Sequence, residues 1–488
     1  MSVPREQLRR IVVAGGGQVG ILAAIGLRRA LPRCEVVIIG LAPDPAAFAD
    51  HAATALPFTN KLHDRLGIDE SRIVLAAGGS YRLATRYFGW GGENQHGVAT
   101  YGDASDAALQ TRFAQEWGRG PRNVSERRQA ASLAEVLVDA GRFAPPPPDS
   151  DTPLSQIEYA LRWNPPAYRD LLIDLAQQSR ISHVQGMVEA VERDGQGGIA
   201  AVVIEGQGRI EADFFVDCSG TAAVLASALP DFSLDEWTGT LPVRRVLVAR
   251  PGQAMLALED RVSLLPEGWL SELAGRDGLQ MALAIGEGTS EEDAVRALGA
   301  EPVAAIPVTP TCLKQPWSGN VVALGDAAAR FEPLAGLPLD LAHRQIDLLL
   351  EMLPGREIEP LERAEYNRRA AMMFDSVREV LALHYTAPRA SRVFPGAAAP
   401  ASVQTALDQY TRRGRLPFRE ESPFLKQERM ALLGALGFDR GIPAQHRQSG
   451  SGETEAAQAE FEARAKAALS FAPPYDQWMA SVLQPGAR

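Results

Sequence analysis

Cysteine and histidine are scarce in this chain, which has three cysteines and seven histidines among 488 residues. The cysteines Cys34, Cys218 and Cys312 lie far apart and form no C-x-x-C pair. This spacing excludes a disulfide framework and offers no zinc-binding pattern, and the dispersed histidines form no H-E-x-x-H motif. We therefore expect a reduced compartment and no metal site.

The chain also has no excess of basic residues and no long apolar run, and we expect it to have no signal peptide. Its net charge is −11 at pH 7, whereas binding to a nucleic acid duplex needs a concentrated basic surface. No apolar run reaches the length of a membrane span, about 18 residues, and the first apolar run is interrupted by glycines. The sequence predicts a cytoplasmic protein that binds neither nucleic acid nor membrane.

What the chain does have is the composition of an ordinary globular protein, 46% hydrophobic and 22% charged. A chain of 488 residues is too long for one small core. We therefore expect two or more lobes, or one large elaborated α/β domain.

A glycine-rich turn near the N-terminus gives the first indication of a ligand. The apolar run Ile11 to Ala14 predicts a buried strand. The glycines that follow at the G-x-G-x-x-G spacing are Gly15, Gly17 and Gly20. Such glycines permit a tight turn and the approach of a pyrophosphate, and the helix that follows offers free N–H groups. A plain strand–helix turn is the alternative, and Gly40 stands where an acidic ribose ligand often follows the second strand.

Two later turns favour FAD over NAD. One apolar run ends in Asp217-Cys-Ser-Gly220, and another leads into Gly325-Asp326 and a helical pattern. A flavoprotein needs a carboxylate near the ribityl or ribose group and a helix N-terminus near the isoalloxazine, which stabilises negative charge on the reduced ring. An NAD-only domain has no need of the late Gly-Asp turn. Three separate segments thus predict one FAD site.

Together with Phe331-Glu-Pro-Leu334, these segments resemble the flavin-dependent tryptophan halogenase family, a branch of the hydroxybenzoate-hydroxylase-like flavoproteins. The likeness extends over most of the chain. It implies an α/β fold with a doubly wound FAD-binding domain of the GR2/hydroxylase type, an interleaved substrate-binding sheet and a helical C-terminal region. It also implies that a separate flavin reductase supplies the reduced FAD.

The halogenation residues of that family are absent at the matching positions. Where the family has a lysine that steers hypohalous acid, the strand-like segment Tyr81 to Trp90 has Arg82, which cannot form the same adduct. Where the family reads E-P-L-E-S-T-G, this chain reads Glu332-Pro-Leu-Ala-Gly-Leu-Pro338, so Ala335 replaces the catalytic glutamate. Pro338 has no backbone N–H to offer to an anion. We therefore expect a flavin enzyme that does not halogenate.

The predicted catalytic residues are Arg82 and Glu332, although an outward-facing strand position is the alternative for Arg82. The predicted cofactor-binding residues lie in the three turns and at the entry to the helix after the last one. They are Gly15, Gly17, Gln18, Val19, Gly20, Asp217, Gly220, Gly325, Asp326, Pro333, Gly336 and Leu337. His51 and His96 are further candidates as proton carriers, although a lone histidine is more often structural.

The order of these segments predicts the domain organisation. An FAD-binding domain is expected within residues 1–355, assembled from about 1–115, 165–235 and 315–355. The substrate-binding region is interleaved with it, over about 80–165 and 236–314, and residues 356–488 form the helical C-terminal region.

We expect an FAD-dependent monooxygenase-like oxidoreductase, in which a flavin C4a-hydroperoxide oxidises an aromatic or electron-rich substrate, either free or bound to a carrier or peptide. Such a reaction needs a dry pocket more than a strong base. Two alternatives stay open: an active halogenase with relocated catalytic groups, and a catalytically silent partner protein with or without flavin. The oligomeric state is open too, with a homodimer as one option.

Overall fold

The computed structural model describes residues 6–102, 132–147, 150–417, 419–441 and 451–484. Within these ranges no helix is both long enough and apolar enough to cross a membrane. No group of three or more His, Cys, Asp or Glu side chains that could hold a metal ion occurs in the same ranges.

The strands, numbered in chain order, are β1 (Arg10–Ala14), β2 (Glu35–Ile39), β3 (Ser80–Arg82), β4 (Ala84–Phe88), β5 (His96–Thr100), β6 (Ala160–Arg162), β7 (Ser182–Val184), β8 (Val188–Arg193), β9 (Ile199–Ile204), β10 (Gly208–Glu211), β11 (Phe214–Asp217), β12 (Leu234–Glu236), β13 (Arg245–Ala249), β14 (Glu259–Leu264), β15 (Gly268–Leu273), β16 (Gln280–Ile285), β17 (Pro302–Pro307), β18 (Thr311–Leu313), β19 (Trp317–Ser318), β20 (Val321–Ala323) and β21 (Ala329–Arg330).

The α-helices are α1 (Gln18–Ala30), α2 (Phe48–His51), α3 (Phe58–Leu66), α4 (Glu70–Ala76), α5 (Leu133–Ala140), α6 (Pro165–Gln178), α7 (Glu291–Leu298), α8 (Leu337–Glu351), α9 (Pro360–Tyr385), α10 (Ala390–Val393), α11 (Ala401–Arg413), α12 (Lys426–Ala435), α13 (Ser451–Phe471) and α14 (Tyr475–Val482).

A six-stranded sheet in the order β19-β20-β11-β1-β2-β7 forms the nucleotide-type half of the molecule, and all its pairs are parallel except β19 with β20. Its central strands are continuous apolar runs because both faces are buried. One face packs against α1, which in turn contacts α6 and α8. On the other face, Val12, Val37 and Phe215 join a core with the antiparallel sheet β10-β9-β8. The predicted α/β fold is confirmed.

The second large sheet has seven strands, in the order β17-β13-β16-β15-β14-β4-β5. The apolar runs Val243 to Val248, Met281 to Ile285 and Val303 to Pro307 predict strands, and β13, β16 and β17 of this sheet form there. At one edge, α12 packs on β5 so closely that a Cβ added at Gly97 would overlap the backbone of Ala435. Beyond residue 356, the described part of the chain is helical, as predicted. The assignment of residues to domains stays a prediction.

The sequence predicts one continuous strand at Tyr81 to Trp90, and this prediction is wrong. The segment Tyr81 to Trp90 forms two strands, β3 and β4, which belong to different sheets. Leu83 lies at the break, where its N–H donates to Leu258 O at 2.7 Å. Alternation of apolar and polar residues indicates extended backbone, but it does not show where the chain passes from one sheet to another.

Candidate functional site

The glycine turn forms at the carboxyl end of β1, as the sequence predicts. Gly15 has φ = 147°, and its N–H donates to Ile39 O at 3.1 Å. A Cβ added to Gly15 would overlap the backbone of Cys218, and a Cβ added to Gly20 would overlap the backbone of Gly15. Glycine is required at both positions because another stretch of backbone lies so close to each of them.

The first turn of α1 already holds a carboxylate that belongs to the protein. Asp50, in α2, accepts a hydrogen bond at Oδ1 from the N–H of Val19, at 3.0 Å. A Cβ added to Gly17 would overlap the Asp50 carboxyl group. Burial raises the pKa of Asp50 to about 6, and the hydrogen bond from Val19 and the positive charge of Arg169 act against that rise. The carboxylate therefore occupies the place that a helix N-terminus offers to an anion.

The side chain of Gln18 connects the start of α1 to α2 by hydrogen bonds. Its Nε2 donates to Ala49 O at 2.6 Å and to Ala52 O at 3.1 Å. Its Oε1 accepts from the indole N–H of Trp163 at 3.1 Å. The side chain is buried and bonded at both ends, so it holds the position of α2 and has no group directed at a phosphate.

Asp326, on the late Gly-Asp turn, is also bonded to α2. Its Oδ1 accepts from the N–H of Phe48 at 3.2 Å, and its Oδ2 accepts from the N–H of Ala49 at 2.9 Å. Burial raises the pKa of Asp326 to about 7. The N–H of Gly325 donates to Oε1 of Gln345 in α8, at 2.8 Å. The predicted cofactor ligands of this turn are thus bonded to the protein's own groups.

Asp217 caps the turn in which it lies. Its carboxylate accepts from the N–H groups of Ser219 at 3.0 Å and of Leu225 and Ala226 at 2.8 Å each. Burial raises the pKa of Asp217 above its ordinary value, and these hydrogen bonds oppose the rise. The described contacts make Asp217 an organiser of its own loop.

Two more places that a dinucleotide would use are covered by side chains. Asp44 accepts at Oδ2 from the N–H of Thr221, at 2.8 Å, and a Cβ added to Gly220 would lie 2.7 Å from the Asp44 Cβ. At the end of β2, a Cβ added to Gly40 would lie 2.8 Å from Nε2 of Gln185. The nearest atom is Nε2 of His183, at 2.5 Å, so the position expected for a ribose contact adjoins His183 and the exposed side chain of Gln185.

These contacts determine whether the arrangement fits FAD. On each of the three turns a predicted cofactor group or its neighbour is bonded to residues 44–51 or to its own loop, and residues 15–20 are buried by the protein itself. The carboxylates of Asp44, Asp50 and Asp326 act electrostatically on one another, where FAD would bring an anionic pyrophosphate. The residues in this arrangement do not fit FAD.

The loop before α8 carries Glu332, which is fully buried. Its Oε1 accepts from the hydroxyl of Tyr385 at 2.6 Å, and that hydroxyl accepts from the indole N–H of Trp269 at 3.1 Å. Its Oε2 has no hydrogen-bond partner among the described residues. Burial raises the pKa of Glu332 to about 6, and the bond from Tyr385 opposes the rise. Glu332 is therefore a buried group that can hold a proton.

The rest of this loop enters α8 at the predicted place. Gly336 precedes the first turn with φ = 73°, Leu337 begins the helix, and Pro333 is half-buried. Ala335 also has a positive φ, 55°. Its side chain lines a cavity of about 20 Å³ together with Leu56 and with residues of β4, β5 and α12. A cavity of that size holds about one water molecule.

Arg82 lies inside the protein, not on an outward face of its strand. The side chain is 1% exposed and forms an ion pair with Asp260. Its second terminal nitrogen donates to the carbonyl oxygen of Ala55, and the guanidinium lies 5.1 Å from the ring centre of Tyr101. Asp260 also accepts from the hydroxyl of Thr54 at 2.8 Å. Both terminal nitrogens of Arg82 are thus bonded within the fold.

Sequence patterns indicate no role for Asp50, the residue that closes the α1 N-terminus. The segment Asp44 to Asp64 is polar and typical of a helix, and the only residue of α2 that the sequence suggests as a proton carrier is His51. The ring of His51 lies within 3.0 Å of Asp44 O. The sequence does show an acidic residue, Asp50, one loop after β2. Its hydrogen-bond partner Val19, however, lies 31 positions away. Such a long-range contact has no local pattern.

Comparison with known proteins gives consistent results. The family profile described as tryptophan halogenase matches residues 10–449. The chain is similar to the tryptophan 7-halogenase KtzQ of Kutzneria sp. (strain 744), 25% identical over 417 residues that cover 78% of this chain and 76% of the relative. It is also similar to the tryptophan 7-halogenase RebH of Lentzea aerocolonigenes, 25% identical over 420 residues that cover 80% of this chain and 78% of the relative.

Solved structures share the fold. Xcc4156, a flavin-dependent halogenase from Xanthomonas campestris, superposes with a TM-score of 0.86 at 22% identity, covering 99% of this chain and 100% of that chain. The tryptophan 6-halogenase SttH from Streptomyces toxytricini superposes with a TM-score of 0.85 at 21% identity, covering 97% and 99%. The profile match begins at β1 and extends past α12, so it spans both large sheets. The chain therefore belongs to the tryptophan halogenase family, whose solved relatives include flavin-dependent enzymes.

Proposed function

We propose that this chain is a member of the family that has no halogenase activity. The observation that carries the proposal is the burial of Arg82, at the position matched to the lysine of the halogenases, in an ion pair with Asp260. A residue that steers hypohalous acid must present a donor to it. Arg82 instead donates to Asp260 and to the backbone of Ala55.

The loop before α8 supports the same proposal. Ala335 stands at the position of the halogenases' glutamate and offers no carboxylate. The residues that line the pocket beside Ala335 include Leu56, Tyr87 and Glu428. No lysine is among the described residues that line it, so the pocket lacks the steering group of the halogenases.

Of the two functions without halogenation, the geometry favours a catalytically silent partner protein. A monooxygenase-like oxidoreductase needs FAD and a reductant from a flavin reductase, and the three turns assigned to FAD are bonded to the protein's own residues. A silent protein keeps the family's fold without needing flavin, reductase or aromatic substrate.

Monooxygenase-like chemistry remains the second candidate because of Glu332. One of its carboxylate oxygens is unpaired among the described residues, and the other accepts from Tyr385. A buried carboxyl with a pKa of about 6 can take up or release a proton near neutral pH. This function would require residues 44–51 to leave the cofactor turns.

The test compares this protein with the tryptophan 7-halogenase RebH under identical conditions. Each is supplied with reduced FAD, O₂, bromide and either tryptophan or a phenol, and products are identified by mass spectrometry. We expect brominated product from RebH alone. A brominated product from this chain would overturn the proposal. A hydroxylated product formed at a rate above the protein-free reaction would replace the silent function with the monooxygenase-like one.

A further inference from the structure

We propose that residues 44–51 act as an intramolecular substitute for the cofactor, with the Asp50 carboxylate in place of the pyrophosphate at the α1 N-terminus. The native chain then takes up neither FAD nor another dinucleotide, and a pyrophosphate site is latent beneath Asp50. The inference deepens the proposed silent function and rests on it, while the absence of halogenation rests on other residues, Arg82 and Ala335.

The first support is that this one segment reaches all three turns. It contacts the glycine turn through Asp50, the second turn through Asp44, and the late turn through the N–H groups of Phe48 and Ala49. An incidental collapse of an open cleft would leave some of these polar groups without partners. Here each turn receives hydrogen bonds of 2.8 to 3.2 Å from the segment or donates them to it.

The second support is the chemical match between Asp50 and the group that it replaces. A carboxylate and a phosphate both accept hydrogen bonds from free N–H groups, and both are favoured by the positive end of a helix dipole. The Oδ1 atom of Asp50 accepts from Val19 N–H at 3.0 Å. Gly17 lies so close to the same carboxyl that a side chain there would overlap it.

The third support is electrostatic. Asp44, Asp50 and Asp326 interact with one another through their charges, so an incoming pyrophosphate would be repelled in a region of low dielectric constant. The two arginines near these carboxylates already donate hydrogen bonds to backbone carbonyl oxygens. Arg169 donates to the carbonyl oxygen of Gly16, and Arg330 donates to that of Thr221.

The experiment measures ligand binding by the full-length wild type and by Asp50→Ala. Inorganic pyrophosphate, ADP and FAD are added separately, and binding is followed by thermal shift and by calorimetry. We expect no saturable binding to the wild type. We expect Asp50→Ala to bind pyrophosphate saturably, with a Kd at least about tenfold below the highest concentration at which the wild type shows no binding. The matched control is Asp174→Ala, which removes an exposed aspartate from α6 and should behave as the wild type.

A measurement on the wild type alone keeps the inference testable if Asp50→Ala does not fold. Hydrogen exchange of the amides of residues 17–21 should be slow, and FAD should leave it unchanged. Saturable FAD binding with altered exchange in residues 17–21 and 44–51 would overturn the inference. So would a folded Asp50→Ala variant that binds no pyrophosphate. FAD binding without brominated product would overturn only this inference, whereas brominated product would overturn the absence of halogenation as well.

Discussion

Asp50 caps helix α1 from a different part of the chain, since its Oδ1 lies 3.0 Å from the nitrogen of Val19 although 31 positions separate the two residues. Helix N-caps are usually supplied by the residue that directly precedes the helix. Gly17 precedes α1 and provides no side-chain cap. The contact therefore links the start of α1 to α2, and with it to the late Gly-Asp turn through Asp326.

Raising the pH should destabilise the wild type relative to Asp50→Asn. Burial raises the folded-state pKa of Asp50 from 3.8 to about 6. The bound proton therefore stabilises the folded protein fully below about pH 4, and this contribution is lost as the pH rises through 6. The full loss is on the order of 3 kcal/mol. Urea unfolding at about pH 5 and about pH 8 captures about half of this loss, because the other half has already occurred by pH 5. Asp174→Asn should follow the wild type, and parallel pH profiles for Asp50→Asn and the wild type would contradict the prediction.

Gly17→Ala should lower the free energy of unfolding by about 1–3 kcal/mol, because the new Cβ would overlap the Asp50 carboxyl. The double variant Gly17→Ala with Asp50→Ala should be less destabilised than the sum of the two single variants. Gly239→Ala is the matched control, since no atom lies within 4 Å of a Cβ added there. Additive single effects in urea unfolding would show that the two residues do not touch.

Arg82→Met should destabilise the protein by about 3–5 kcal/mol, because it leaves Asp260 charged and buried. Adding Asp260→Leu to the same chain should recover most of the loss, since both charges are then gone. The control is Arg412→Met, which breaks the exposed pair of Arg412 with Asp408 and should change stability by less than about 1 kcal/mol. Equal effects of Arg82→Met and Arg412→Met in chemical denaturation would refute the buried ion pair.

Tyr385→Phe should cost about 1–3 kcal/mol, because Glu332 would lose its only hydrogen bond from a side chain among the described residues. That bond lowers the pKa of Glu332, so the pKa of Glu332 in the Tyr385→Phe variant should rise above about 6. Because the pKa of Glu332 is higher in the folded variant, the free energy of unfolding of the variant should fall more than that of the wild type as the pH rises through this pKa. Tyr366→Phe is the matched control because its hydroxyl has no partner among the described residues. The prediction fails if the two variants have the same pH profile of unfolding.

Much of the fold could be predicted from the sequence because its signals are local. The apolar run before Gly15 and the helical pattern after Gly20 gave β1 and α1, and the strands β13, β16 and β17 were expected from apolar runs of strand length. The break at Leu83 could not be predicted, because the choice between two sheets depends on pairing with β6 on one side and β14 on the other. Pairing partners lie far away in the chain and leave no local pattern.

By itself, the sequence determined the strand–glycine–helix turn, the α/β fold and the replacement of the halogenases' lysine and glutamate by Arg82 and Ala335. These follow from residue types and their spacing, which the chain carries wherever it folds. Only the tertiary structure decided what the glycine turn holds. Asp50 and Val19 meet because α2 packs against the start of α1. The same glycines that predict a pyrophosphate site therefore surround a carboxylate of the protein, since a helix N-terminus accepts either anion.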